Sequence, residues 1–169
     1  MRLAPLLLLV LAVRIAAAER PFDYPVTSGD ARFDAVFTQI AYEDTKSEGT
    51  KLTIKDREHN AVFTHEISSD VACNARWTHD SKSLVITGLN GAGHQPWHYH
   101  VFVFSFDARE LRQLDEPEKT PFVSAEIFMQ SPHTVILIGH TFEHDMVAPD
   151  DPVLLRFDLA TLWPRLPKV

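Results

Sequence analysis

Nine histidines in 169 residues are the first feature of this chain that could do chemistry. Six of them sit in or beside two loops. GAGHQPWHYH carries His94, His98 and His100, while GHTFEHDM carries His140 and His144 beside Asp145, with His133 a few residues ahead. His98 and His100 are two apart, so on an extended strand they share one side. Imidazole nitrogens with a nearby carboxylate suit a divalent transition metal such as zinc. His98, His100, His140 and His144 are the candidate ligands, and their spacing matches no established ligand motif. The ordinary alternative is solvated loop histidines with no cofactor, and that is the expectation carried forward. Trp97 and Tyr99 flank His98. Aromatic rings on an exposed loop can form a platform for a protein, peptide or saccharide ligand, or else pack in the interior.

Other catalytic signatures are missing from the sequence. It contains no G-x-S-x-G elbow, no phosphate-binding G-x-x-x-x-G-K-[ST] loop, no H-E-x-x-H and no G-x-G-x-x-G. Glu43-Asp44 and Asp150-Asp151 are paired acids in polar segments, where solvated carboxylates are the common case. Cys73 is the sole cysteine, so no intrachain disulfide can form.

The elements that would have to position these loops read as β. Runs such as Ala35–Ile40, Lys51–Lys55, Ser83–Thr87, His100–Phe106 and Thr134–Ile138 are rich in β-branched and aromatic residues. Several are apolar on both faces, as expected for strands held between other sheets. A slide of 51 residues lays Ser83–Gly88 on Thr134–Gly139, Trp77 on Phe128, and Phe106-Asp107 on Phe157-Asp158. One more step back puts Asp56 in register with Asp107 and Asp158, with Leu52 matching Val103 and Leu154. An Asp at such a strand-to-strand turn accepts backbone N–H bonds, so Asp56, Asp107 and Asp158 are expected to be structural. Each unit reads as four strands, and four-stranded units at this period are the signature of propeller blades. The expected fold is all-β, a partial β-propeller of about three four-stranded antiparallel blades, with repeats over 20–69, 70–120 and 121–169. A β-trefoil, which also has three repeats of about this length, is the alternative.

ARWTHDSKSLVITG, from Ala75 to Gly88, resembles the repeat of TolB-type, WD40-like bacterial propellers. That repeat runs from an aromatic through a Ser-Pro-Asp-Gly-Lys-like turn into a strand. Asp80 and Lys82 match the turn, Thr78-His79 stand where Ser-Pro is usual, and Ser81 stands where Gly is usual. FSFDARELRQL, from Phe104 to Leu114, resembles the end of the same repeat, and Met129–His133 in the last copy lacks the Asp. The resemblance spans roughly Phe33 to Leu166. It implies a propeller-type fold, an exported setting and a recognition platform more often than an enzyme.

Composition and leader complete the reading. Met1 to Ala18 combines Arg2, an apolar run from Leu6 to Val13 and a small-residue site ending at Ala18, which together form a signal peptide. The run is too short to span a bilayer, so no stable membrane anchor is expected after cleavage. Cleavage leaves 151 residues, 19–169, and takes the net charge from −7 to −9 by removing two arginines. An acidic chain without clustered Lys/Arg argues against a nucleic-acid partner. The expected location is periplasmic or secreted. The expected function is a non-enzymatic interaction module. The alternatives are a metal-assisted lyase or hydrolase on the histidine loops, and a truncated propeller without independent activity. Because propellers usually close with four to eight blades, three imply a homo-oligomer, buried ends or a fragment.

Overall fold

In the computed structural model the chain is described over residues 25–42, 47–67, 70–90, 98–114, 124–140 and 153–169. Three antiparallel sheets follow one another in chain order. The first holds β1 (Val26–Thr27), β2 (Asp34–Tyr42), β3 (Ser47–Lys55) and β4 (Ala61–Ile67). The second holds β5 (Asp70–Trp77), β6 (Ser83–Asn90), β7 (His98–Ser105) and β8 (Glu110–Gln113). The third holds β9 (Ser124–Met129), β10 (Thr134–His140) and β11 (Val153–Asp158). Strands are adjacent in the order they occur. These are separate stacked meanders of a partial propeller-like fold and not the common barrel of a β-trefoil. Among the described residues no helix is long and apolar enough to cross a membrane.

The second sheet explains the runs that are apolar on both faces. Leu84, Ile86, Phe102 and Phe104 point to the first sheet, into a cluster with Ala35, Phe37, Leu52 and Ile54. Val85, Val101 and Val103 point the other way, against Ile127, Val135 and Leu137 of the third sheet. A strand alternates its side chains between faces, so only a strand buried on both sides needs an unbroken apolar run. The outward side of the first sheet is mostly polar: Asp34, Thr38, Lys51, Thr53, Lys55, Thr64 and Glu66 lie there by strand register, with Val36 and Ile40 among them.

The uniform 51-residue register does not hold. Ala35–Ile54 and Val85–Val103 are equivalent pairs facing the next sheet, offset by 50 and 49 residues. Leu84–Phe104 and Val135–Phe157 are equivalent pairs facing the preceding sheet, offset by 51 and 53. Met129, paired to Val135, therefore takes the place of Trp77, paired to Leu84; Phe128 faces away. The cause lies in the connections. The first two turns close over five residues, by Ser28 N–H to Phe33 O and Thr78 N–H to Ser83 O, but the third closes over four, by Gln130 N–H to Thr134 O.

The three aspartates are accordingly not equivalent. Asp56 opens the β3–β4 turn and accepts the Asn60 N–H at 2.8 Å. Asp107 lies in the β7–β8 turn, whose matching hydrogen bond starts one residue earlier, from Arg109 N–H to Phe106 O. Its carboxylate stands 3.6 Å from Lys82 Nζ in an exposed pair. Asp158 caps α1 (Leu159–Leu162), accepting from the Ala160 N–H at 3.1 Å and the Thr161 hydroxyl at 3.2 Å.

In place of a fourth strand, the third sheet continues into α1, a 3-10 turn (Trp163–Arg165) and a tail that returns to the second sheet. The tail lies along β8: Gln113 N–H donates to Pro167 O and Val169 N–H to Leu111 O. Arg112 anchors it by donating to the Trp163 carbonyl at 2.7 Å with its guanidinium over the Trp163 ring. Edge strands expose unpaired backbone groups, and this tail satisfies those of β8.

Candidate functional site

The structure has two ends with different chemistry. Antiparallel register puts the β5–β6 and β7–β8 turns at one end, and the end of β6, the start of β7, the end of β10 and the start of β11 at the other. At the latter end, His98 and Tyr99 begin β7 opposite Asn90 and Leu89, while His140 ends β10 opposite Ser124. His100 follows opposite Gly88, half-buried, with its ring edge-on to Phe102 at 6.1 Å. Trp97, His94 and His144 lie outside the described residues, as do Glu43-Asp44 and Asp150-Asp151. Among the described residues, no three His, Cys, Asp or Glu side chains cluster closely enough to hold a metal ion.

The turn end carries a repeated arrangement of which the sequence marked one copy, at Thr78–Lys82. In the second sheet Asp80 Oδ1 accepts from the Thr78 hydroxyl at 2.7 Å and from the Lys82 N–H at 3.1 Å. The first sheet repeats this with Ser28, Asp30 and Arg32: the Ser28 hydroxyl donates to Asp30 Oδ1 at 2.8 Å and the Arg32 N–H at 3.1 Å. Ala31 and Ser81 take φ of 55° and 59°, the left-handed conformation for which glycine is the usual residue. The signal for the first copy was Ser28-Gly29-Asp30-Ala31-Arg32, offset by 50 rather than 51 from Thr78–Lys82.

These turns touch one another. Asp30 N–H donates to Ser81 Oγ at 3.2 Å, and His133 Nδ1 stands 3.7 Å from Asp80 Oδ2. Desolvation pushes the Asp30 carboxyl up, but hydrogen bonds from the Arg32 side chain and N–H and from Ser28 outweigh it and hold the pKa at about 2. Asp80 is likewise lowered: desolvation opposes, while bonds from Thr78 and Lys82 and the charges of His133 and Lys82 prevail.

Beside the turns, the first strands of the three sheets enclose an open depression of about 460 Å³. Val26 and Thr27 of β1, Arg76 and Trp77 of β5, His79, and Phe128 and Met129 of β9 line it. The Trp77 indole N–H donates to the Val26 carbonyl at 2.8 Å, which satisfies the ring's polar edge and locks its plane. Arg76 places its guanidinium over the Phe128 ring at 5.9 Å, a cation–π contact at the rim. Phe128 is 39% exposed. The site thus offers aromatic and thioether surface with one fixed positive charge and an exposed imidazole, a composition suited to holding a side chain or extended segment.

No family model matches this chain, and no curated protein matches it. Among solved structures, it is similar to a conserved lipoprotein of Clostridium novyi, at 13% identity and a TM-score of 0.53, over 83% of this chain and 90% of the other. It is also similar to the acylaminoacyl peptidase of Pyrococcus horikoshii, at 13% identity and a TM-score of 0.53, over 86% of this chain and 24% of the peptidase. The chain thus spans about a quarter of that enzyme. At this identity the likeness concerns the fold: an all-β, propeller-like arrangement.

Proposed function

We propose that the chain is an exported, non-enzymatic interaction module built of TolB-type blades, which takes a protein or peptide segment into the depression between β1, β5 and β9. The observation that carries this is the depression itself, where Trp77, Phe128 and Met129 supply apolar surface and Arg76 and His79 supply polar contacts. Such a mixture of anchored aromatics and adaptable polar groups is typical of recognition surfaces. The repeated Ser/Thr-x-Asp-x-Arg/Lys turn, at Ser28–Arg32 and Thr78–Lys82, supports the TolB-type reading. The leader from Met1 to Ala18 and a solved neighbour that is a lipoprotein both fit an exported setting.

A photo-crosslinking residue in place of His79, in the protein expressed in its host, tests the site. A discrete adduct is expected at position 79 and none from the same residue in place of Thr38 on the outward side of the first sheet. Equal labelling from both positions, or none from position 79, overturns the assignment. Trp97→Ala separates the depression from the loop platform, since it leaves the position-79 adduct intact if the depression is the site.

A further inference from the structure

We infer that the outer face of the third sheet pairs with the same face of a second copy of this chain. Strand register defines that face. Phe128, Ile136 and Arg156 form one row across β9, β10 and β11, and Glu126, Ile138 and Leu154 form the next. The opposite sides of these strands, Ile127, Val135 and Leu137, are buried against the second sheet. Leu154 is 60% exposed and Phe128 39%, two of the three large hydrophobic residues so exposed among the described residues. An apolar patch on a sheet face marks an interaction surface.

The occupant follows from the rest of the molecule. Head-to-tail stacking of copies would set this face against the outward side of the first sheet, where Thr38, Lys51, Thr53, Lys55 and Thr64 stand. That contact would desolvate two lysine ammonium groups against isoleucine and leucine, at a cost the apolar contact would not return. The third sheet's own face is the better complement. Its charges are placed for self-pairing: Glu126 and Arg156 occupy opposite corners of the patch, one in each row. Both are exposed, and neither has an ion-pair partner among the described residues. A two-fold axis lying in the interface, roughly across the line joining them, sets each Glu126 against the Arg156 of the other copy, with Ile136, Ile138 and Leu154 between. Isologous contacts of this kind are the commonest route to a dimer.

Three strands about 4.8 Å apart and about 20 Å long offer on the order of 300 Å² per copy. That is below the roughly 800 Å² per partner of a standard interface, so association should be concentration-dependent rather than obligatory.

Sedimentation velocity of the purified chain from about 1 to about 300 µM tests this, the range being set for a contact below standard size. The mass is expected to rise from one chain to two. Leu154→Lys should remain one chain throughout; its site is mostly exposed, and an unchanged far-UV spectrum verifies the fold. Glu126→Arg should weaken association at least tenfold by opposing two arginines, and adding Arg156→Glu should restore it. A wild-type chain that stays monomeric overturns the inference. So does a double swap no stronger than Glu126→Arg alone. A dimer abolished by Thr53→Arg as well as by Leu154→Lys would overturn it in favour of head-to-tail contact.

Discussion

At the residue scale, the turn aspartates couple the fold to pH. The Asp30 carboxyl sits at about 2 in place of its ordinary 3.8, and Asp80 is shifted the same way. Between the folded and unfolded pKa values the unfolded chain binds more protons, so acid favours unfolding there. The Asp30 contribution is therefore complete above the unfolded value and is lost as pH falls from about 4 towards 2, and that of Asp80 is lost on the same acid side. Urea midpoints measured across that range should fall for the wild type and fall less for Asp30→Asn or Asp80→Asn. Thr87 offers the opposite case. It is fully buried on β6, and its hydroxyl is the buried side-chain oxygen without a hydrogen-bond partner among the described residues. Removing an unpaired buried hydroxyl while keeping the side-chain shape is neutral to stabilising, so Thr87→Val should raise stability by about 1 kcal/mol in chemical denaturation. Of these residues, Asp80 could be read from the sequence, because its turn resembles a repeat. Asp30 could not, because a one-residue change of offset hid the same turn.

At the element scale, β6 and β7 hold the molecule together because both their faces are packed. Phe104 is fully buried and its ring lies 4.5 Å from that of Phe63. Truncating it leaves a cavity between two sheets, so Phe104→Ala should cost about 3–5 kcal/mol. Phe128→Ala, on the open side of β9, should stay within about 0.5 kcal/mol of wild type. Equal losses from the two substitutions would contradict the assignment of buried and open faces. The tail is a second element with a definite load. Arg112 is mostly buried and donates to the Trp163 and Leu166 carbonyls, while Glu110 accepts from Lys168 at 2.6 Å and from Arg112 at 2.8 Å. Hydrogen bonds from Lys168 and Arg112 hold the Glu110 carboxyl below its ordinary range. Arg112→Ala should release the tail at a cost of about 1–3 kcal/mol and make 163–169 digestible by carboxypeptidase. Lys168→Ala, which removes only an exposed ion pair, should cost about 0–1 kcal/mol. The return of this tail to β8 was not legible from the sequence: Pro167-Lys168-Val169 carries no strand signal of its own and pairs only because an edge is waiting.

At the scale of the whole molecule, stability should be graded across the three sheets. The second sheet has neighbours on both sides, and the first and third on one. Local opening follows the density of buried contacts, so amide exchange should be slowest in β6 and β7 and faster in β4 and β11. Slowest exchange in the third sheet would mean that its open face is covered, which the dimer inference attributes to a second copy and dilution would reverse.

The sequence by itself determined the all-β class, the antiparallel meander order and the presence of strands held between two sheets. All three follow from local periodicity: β-branched runs make strands, polar breaks make turns, and runs without alternation require two neighbours. It also identified the turn at Thr78–Lys82. Only the tertiary structure decided which positions are equivalent between sheets, since insertions of one or two residues are absorbed in turns and leave no trace in the apolar pattern. It alone decided that the first strands converge, because Val26, Trp77 and Met129 lie about fifty residues apart in the chain and meet only when the sheets stack. The histidine loops were conspicuous by composition, but the depression was not. A binding surface made from three strands is a property of their packing, and no single stretch of chain contains it.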